Sequence, residues 1–189
     1  MEIFEHTIPF MGYETFYRTV GRRNDKAPLV LLHGGPGSSH NYFEVLDELA
    51  EKSDRQIIMY DQLGCGNSSI PDDKPELYTK ETWVKELENL REKLHLHDIH
   101  LLGQSWGGML AIIYMCDYHP QGVHSVILSS TLSSASLWSK ELHRMIKYLP
   151  VEEQAAIHRA EITNNFSDPA YLKANDHFMN QHAIDMTKT

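Results

Sequence analysis

Four short apolar runs, Leu29–Leu32, Ile57–Tyr60, Ile99–Leu102 and Val126–Leu128, are each bounded by turn residues and separated by stretches of helical periodicity. Runs this short and continuous read as strands buried on both faces, because a strand with one wet face would alternate apolar with polar residues. The segments between them are amphipathic. "HNYFEVLDELAEK" places Phe43, Leu46, Leu49 and Ala50 on one helical face. In "TKETWVKELENLREKL", Trp83, Leu87, Leu90 and Leu94 recur at helical spacing, and Thr79 stands where its side chain can cap the first turn. "WGGMLAIIYMCDYH" is expected to stop at His119, since Pro120 disfavours helix in the residue before it. Alternating strands and helices predict an α/β fold, a mostly parallel sheet with helices on both faces. The opening "IFEHTIPFMGYETFYRTVG" predicts a leading antiparallel hairpin.

After Ser130 the strand pattern does not return. Three consecutive helices are expected in "SSASLWSKELHRMIKYLP", "VEEQAAIHRAEIT" and "SDPAYLKANDHFMNQH", the last opened by Ser167 and Pro169. The chain is therefore divided into a sheet-forming part, 1–130, and a helical part, 131–189.

Charge and apolar content narrow the function classes. Twenty-six acidic against seventeen basic side chains give a net charge of −9. That disfavours non-specific nucleic-acid binding, which runs on Lys and Arg pairing with phosphates. The longest apolar run, Met109–Cys116, is far too short for a membrane span. "MEIFEHTIPF" lacks the basic start and apolar stretch of a secretory signal. Cys65 and Cys116 form no disulfide framework. A cytoplasmic protein is expected.

The chemistry is concentrated in "LLGQSWGGML". Gly103-Gln104-Ser105-Trp106-Gly107 fits G-x-S-x-G, with a predicted strand before it and a predicted helix after it. Such a sharp turn holds a serine hydroxyl out of the sheet, and small residues two before and two after let strand and helix cross. The helix start also aims free N–H groups at the place where an oxyanion would develop. The plain alternative is a glycine-rich turn whose serine only caps a helix. "HGGPGSS", His33–Ser39, follows the strand Leu29–Leu32. In acyl-transfer enzymes of this architecture one oxyanion donor comes from that loop and the other from the residue after the nucleophile. Here these are the backbone N–H groups of Gly35 and Trp106. A phosphate-binding loop would need a lysine after Gly37, where Ser38 and Ser39 stand, and a dinucleotide fingerprint at Gly64-Cys65-Gly66 lacks its third glycine.

"HGGPG", "DQLGCGNS" at Asp61–Ser68 and "GQSWGGML", in that order, resemble the proline iminopeptidase family of α/β-hydrolase serine peptidases, particularly those of lactic acid bacteria. The resemblance runs over essentially the whole chain. It implies release of N-terminal proline from short peptides without a metal or other cofactor. It also implies Ser105 as nucleophile, Gly35 and Trp106 as oxyanion donors, the helices after Ser130 as the start of a cap, and the loop around Asp61 and Gln62 as either the base of the site or a purely structural element. An amino-acid amidase or esterase would use the same three residues. Haloalkane dehalogenases and epoxide hydrolases of this fold use a carboxylate nucleophile, and Ser105 argues against both.

A serine nucleophile needs a base, and the base an orienting acid. In this architecture both follow the serine on later strands. Family members continue past the cap into further strands, so the chain is expected to be truncated, with acid and base beyond Thr189. His119, His124, His143, His158, His177 and His182 follow Ser105, and each is expected to be structural or solvent-facing. "HLHDIH", His95–His100, is expected to be a solvated turn rather than a metal site. A non-catalytic peptide-binding or assembly-dependent chain is the competing reading. In it, Val126–Leu128 forms an exposed sheet edge that invites self-association.

Overall fold

The computed structural model describes residues 2–182; residues 183–189 of the expected helical part lie outside the described residues. The chain divides into two compact units between Ser133 and Ser134.

The first unit is a six-stranded sheet in the order β1-β2-β4-β3-β5-β6. Its strands are β1 (Ile3–Phe10), β2 (Tyr13–Val20), β3 (Leu29–Leu32), β4 (Ile57–Tyr60), β5 (Ile99–Gln104) and β6 (Val123–Ser129). The leading hairpin forms as expected: β1 and β2 pair antiparallel, and β2 joins β4 antiparallel. From there β4, β3, β5 and β6 run parallel. Helices α1 (Asp47–Ser53), α2 (Lys80–Lys93) and α3 (Trp106–Ile113) connect the parallel strands.

The continuous apolar runs are buried because each strand feeds two cores. Val30, Leu32, Ile58, Tyr60 and Leu101 face one side, where they meet Val84, Leu87 and Leu90 of α2 and Leu110 and Ala111 of α3. Leu29, Leu31, Ile57 and Met59 face the other, with Phe43, Ala50 and Val20. The register Leu29↔Ile57 and Val30↔Ile58 keeps each set on its own face. Each fully buried leucine or isoleucine contributes about 1.5–3 kcal/mol relative to exposure. The α2 cap is the expected one, with Thr82 N–H donating to Thr79 Oγ1 at 3.2 Å.

Several local expectations are corrected. The segment after Ser39 is not one α-helix: His40–Leu46 winds as a 3-10 helix before α1 begins. The change from three to 3.6 residues per turn shifts the phase, so Phe43 and Ala50 are buried while Leu49 is exposed. β5 and β6 extend beyond the apolar runs, β5 to Gln104 and β6 over Val123–Ser129. β6 is not buried on both faces: it is an edge strand, and Ile127 and Leu128 are half exposed. The α3 segment does stop at His119, as expected, which takes the left-handed conformation after a π-helical last turn, Tyr114–Tyr118.

The second unit holds α4 (Ala135–Ile146), α5 (Val151–Thr163) and α6 (Pro169–His182). Leu149, Ala156, Ile157, Ala174 and Phe178 form its own core. The α6 cap is Asp168 rather than Ser167: Ala170 N–H donates to Asp168 Oδ1 at 2.8 Å, with Pro169 in the first turn.

Candidate active site

In an open parallel sheet, ligands bind beyond the carboxyl ends of the strands where the winding direction reverses. Here the chain winds from β3 outward to β4 and then returns to the opposite flank of β3 with β5. The loops after β3 and β5 therefore border that crevice. They are the loops carrying His33–Gly35 and Ser105.

Ser105 sits between β5 and α3 with φ 52° and ψ −118°, a region that a residue with a Cβ adopts only under strain. Its neighbours impose that bend. Ser105 N–H donates to Ser129 O at 3.0 Å, continuing the β5–β6 ladder, and Ser105 O accepts from Gly108 N, Met109 N and Thr131 Oγ1. The glycines are required by contact rather than by flexibility. A Cβ on Gly103 would run into the Gly107 carbonyl, and one on Gly107 into the Leu32 carbonyl. The first turn of α3 thus lies directly on the end of β3.

The loop after β3 closes on the same place. A Cβ on Gly34 would come within 3.1 Å of the Ser105 Cβ. Gly35 has φ +119° and tolerates no side chain, because a Cβ there would lie 2.5 Å from Gly37 N. Gly34 N–H donates to Tyr42 Oη at 2.7 Å, and that hydroxyl donates to Gln104 Oε1 at 2.9 Å. Among the described residues, neither Gly35 N–H nor Trp106 N–H meets an acceptor.

Beneath these loops lies a buried polar layer from the segment after β4. Gln62 N–H donates to His33 Nε2 at 2.9 Å, so the His33 ring carries its proton on Nδ1 and donates it to Gly34 O at 2.8 Å. Burial lowers the His33 pKa and favours this neutral ring. The Gln62 side chain donates to His33 O at 3.0 Å and accepts from the Trp106 indole N–H at 2.9 Å. Asp61 accepts from His40 N, His40 Nδ1 and Asn67 N at 2.7–2.8 Å. Burial pushes its carboxyl up, but the His40 ring and the two backbone N–H groups outweigh it and hold the pKa below the usual range. Glu86, fully buried on α2, accepts from Thr15 Oγ1 at 2.5 Å and Leu63 N at 2.9 Å. Burial raises its pKa to about 7, those two hydrogen bonds notwithstanding.

Of the six histidines after Ser105, His119, His158 and His182 are exposed, and the others are hydrogen-bonded to residues other than Ser105. His33 and His40 are buried and committed to Gly34 and Gln62, and to Asp61, respectively. His124 pairs with Asp98 at the strand ends opposite Ser105, since Ser125 pairs with His100 and Ser129 with Gln104. His143 and His177 bind Glu161 and Glu153 within the second unit. Among the described residues no three His, Cys, Asp or Glu side chains converge to hold a metal ion, the His95–His100 turn included.

Sequence reasoning located Ser105 and the glycine loops and pointed to the loop around Asp61 and Gln62, but gave no role to Tyr42, His33 or Glu86. The available signal was polar residues directly after apolar strands, at the ends where such sheets place their sites. Most of their partners lie far off in sequence, as much as 71 residues away.

A parallel sheet with a strained serine elbow and a glycine loop against it defines the α/β-hydrolase class. The family model for the alpha/beta hydrolase fold matches residues 27–170, and the chain belongs to that family. It is 83% identical over all 189 residues to a protein named proline iminopeptidase from Lactobacillus helveticus, of which it covers 64%. Among solved structures, the proline iminopeptidase of Mycobacterium smegmatis superposes with a TM-score of 0.83 at 35% identity, covering 98% of this chain and 63% of that one. VinJ superposes with a TM-score of 0.86 at 33% identity, covering 98% and 63%. The chain thus spans about 64% of the length of the curated relatives it matches. Among the described residues no helix is long and apolar enough to cross a membrane.

Proposed function

We propose that this chain carries the nucleophile and oxyanion-binding half of a serine aminopeptidase that releases N-terminal proline from short peptides. The observation that carries the reading is Ser105 held at φ 52° at the start of α3, with the Gly34–Gly35 main chain against its Cβ. The substrate class rests on the 83% identity to a proline iminopeptidase.

In this reading Ser105 Oγ attacks the prolyl carbonyl, and its proton passes to a base. The carbonyl oxygen becomes an oxyanion that accepts from Gly35 N–H and Trp106 N–H. Collapse of the tetrahedral intermediate expels the amine of the next residue, which takes up the proton, and water then hydrolyses the prolyl ester. Two preorganised donors of this kind supply a large part of such catalysis, about a hundredfold or more for each. His33 and His40 are engaged elsewhere, so base and acid are assigned to the part of the relatives' length that these 189 residues do not span.

The test joins the chain at Thr189 to the remaining C-terminal part of the Lactobacillus helveticus relative and measures release from a proline arylamide. Turnover abolished by Ser105→Ala, with at most a trace from the 189-residue chain alone, is the expected result. An inactive fusion, or activity surviving Ser105→Ala, overturns the proposal.

Two further readings belong here. Cys65 and Cys116 are both free, which suits a cytoplasmic protein. β6 has one neighbour and half-exposed Ile127 and Leu128, which suits self-association through that edge. Sedimentation checks the second: a monomer at high concentration with an unchanged thermal transition counts against it.

A further inference from the structure

The buried amide of Gln62 touches both segments that carry the candidate oxyanion donors. Gln62 follows Asp61 at the end of β4 and is 1% exposed. Its backbone N–H and side-chain NH2 both go to His33, one to the ring and one to the carbonyl. Its side-chain oxygen takes the indole N–H of Trp106. All three bonds lie between 2.9 and 3.0 Å. His33 directly precedes the Gly34–Gly35 turn, and Trp106 directly follows Ser105. One side chain therefore spans from the segment bearing one candidate donor to the residue bearing the other.

The layer below prevents Gln62 from drifting. Cys65 N–H donates to Gln62 O at 2.9 Å, and Leu63 N–H is held by Glu86. Trp83 packs edge-on against Trp106 with ring centroids 5.1 Å apart, and its indole donates to Leu63 O at 3.3 Å. The Trp106 ring is thus fixed by packing against Trp83 and by the hydrogen bond from its indole N–H to Gln62. Gln62 meets no reacting atom, so its part is that of a positioning residue.

We infer that Gln62 sets the spacing of the oxyanion hole, by tying the His33 main chain ahead of Gly35 to the Trp106 indole behind Ser105. The inference rests on the reading of Gly35 and Trp106 as the donors. An amide is needed, since the site asks for one donor and one acceptor on the same planar group. Methionine has the same length and supplies neither a donor nor a good acceptor. Glutamate keeps the acceptor for Trp106 but turns an oxygen toward the His33 carbonyl.

The test uses the 189-residue chain, with Gln62→Met, Gln62→Glu and Trp106→Phe. The first readout is the 1H–15N spectrum. In Gln62→Met the backbone amide signals of Gly35 and Trp106 are expected to move or broaden together, while those of Ile58 and Leu87 stay in place. Gln62→Glu is expected to disturb Gly35 more than Trp106. Amides of Gly35 and Trp106 unmoved in a folded Gln62→Met chain overturn the inference. Should Gln62→Met not fold, Trp106→Phe removes the indole N–H together with the pyrrole part of the ring, and an unmoved Gly35 amide there overturns the inference equally.

The second readout uses the fusion described above, which supplies the base, and is the rate at which a fluorophosphonate modifies Ser105, since its phosphoryl oxygen occupies the same hole. A slowing of about tenfold to a hundredfold is expected in Gln62→Met. The double variant Gln62→Met/Trp106→Phe should be slowed by less than the product of the two single effects, because both changes remove the same Gln62–Trp106 bond. Equal rates in wild type and Gln62→Met, or fully additive effects in the double variant, refute the coupling. A wild-type fusion that does not label at Ser105 counts instead against the nucleophile reading, and the amide signals then decide the role of Gln62 independently.

Discussion

Replacing Glu86 by glutamine should make this protein more stable, and only above a certain pH. Glu86 is fully buried, and its pKa stands at about 7 against 4.5 for an unperturbed glutamate, because burial penalises the charged form. Below pH 4.5 the carboxyl is neutral folded and unfolded, and contributes nothing to the pH dependence. Between 4.5 and 7 the folded chain keeps a proton that the unfolded chain has lost. Stability therefore falls as pH rises, by about 1.4 kcal/mol per pH unit from this group alone. Above 7 the whole cost is present, about 3 kcal/mol for a shift of that size. Glutamine has the same shape and no charge. It can accept from Leu63 N–H and donate to Thr15 Oγ1, whose hydroxyl turns to receive it.

The assay is thermal unfolding of both proteins from pH 4 to 8, in a Trp138→Phe background so that Trp83 and Trp106 report on the first unit. The Glu86→Gln chain should melt about 6–12 °C above wild type at pH 8, and the gap should close toward pH 4. Taking the difference cancels the other titrating groups. A gap that does not change with pH, or a variant that is less stable at pH 8, would refute the reasoning, for it would mean that the carboxylate is not held at a cost.

Asp61 has the opposite sign. Its folded pKa is lowered, so its contribution is present above the unfolded value and disappears as pH falls through the folded one. Asp61→Asn should cost about 1–3 kcal/mol at pH 7, and denaturant titrations should show that gap narrowing below about pH 4. Ser105→Gly should raise the melting temperature by relieving about 1 kcal/mol or more of backbone strain at φ 52°, while abolishing fluorophosphonate labelling. No gain in stability would mean that the elbow stores no strain.

The elbow was legible in the sequence because the small residues that permit it are local, although Ser129 and Thr131 also hold it in place. Gly103, Gly107 and Gly108 stand within three residues of Ser105, and the strand before it and helix after it declare themselves by periodicity. The hairpin, the parallel order of β3 to β6 and the Thr79 cap follow from the same short-range rules. Where those rules failed, a nearby geometric choice intervened. The 3-10 turn at His40–Leu46 moved Leu49 into solvent, and Asp168 took the α6 cap from Ser167.

The polar layer was decided by tertiary structure alone. Nothing within a few residues of Gln62 says that it meets His33 and Trp106, or that Glu86 on α2 will hold Leu63 and Thr15. Hydrophobic periodicity records which side of an element is buried, since burial of apolar area is non-directional and summed over many residues. A hydrogen bond depends on the position of two particular atoms within a few tenths of an ångström. That condition is met only after the sheet has brought the ends of β3, β4 and β5 side by side.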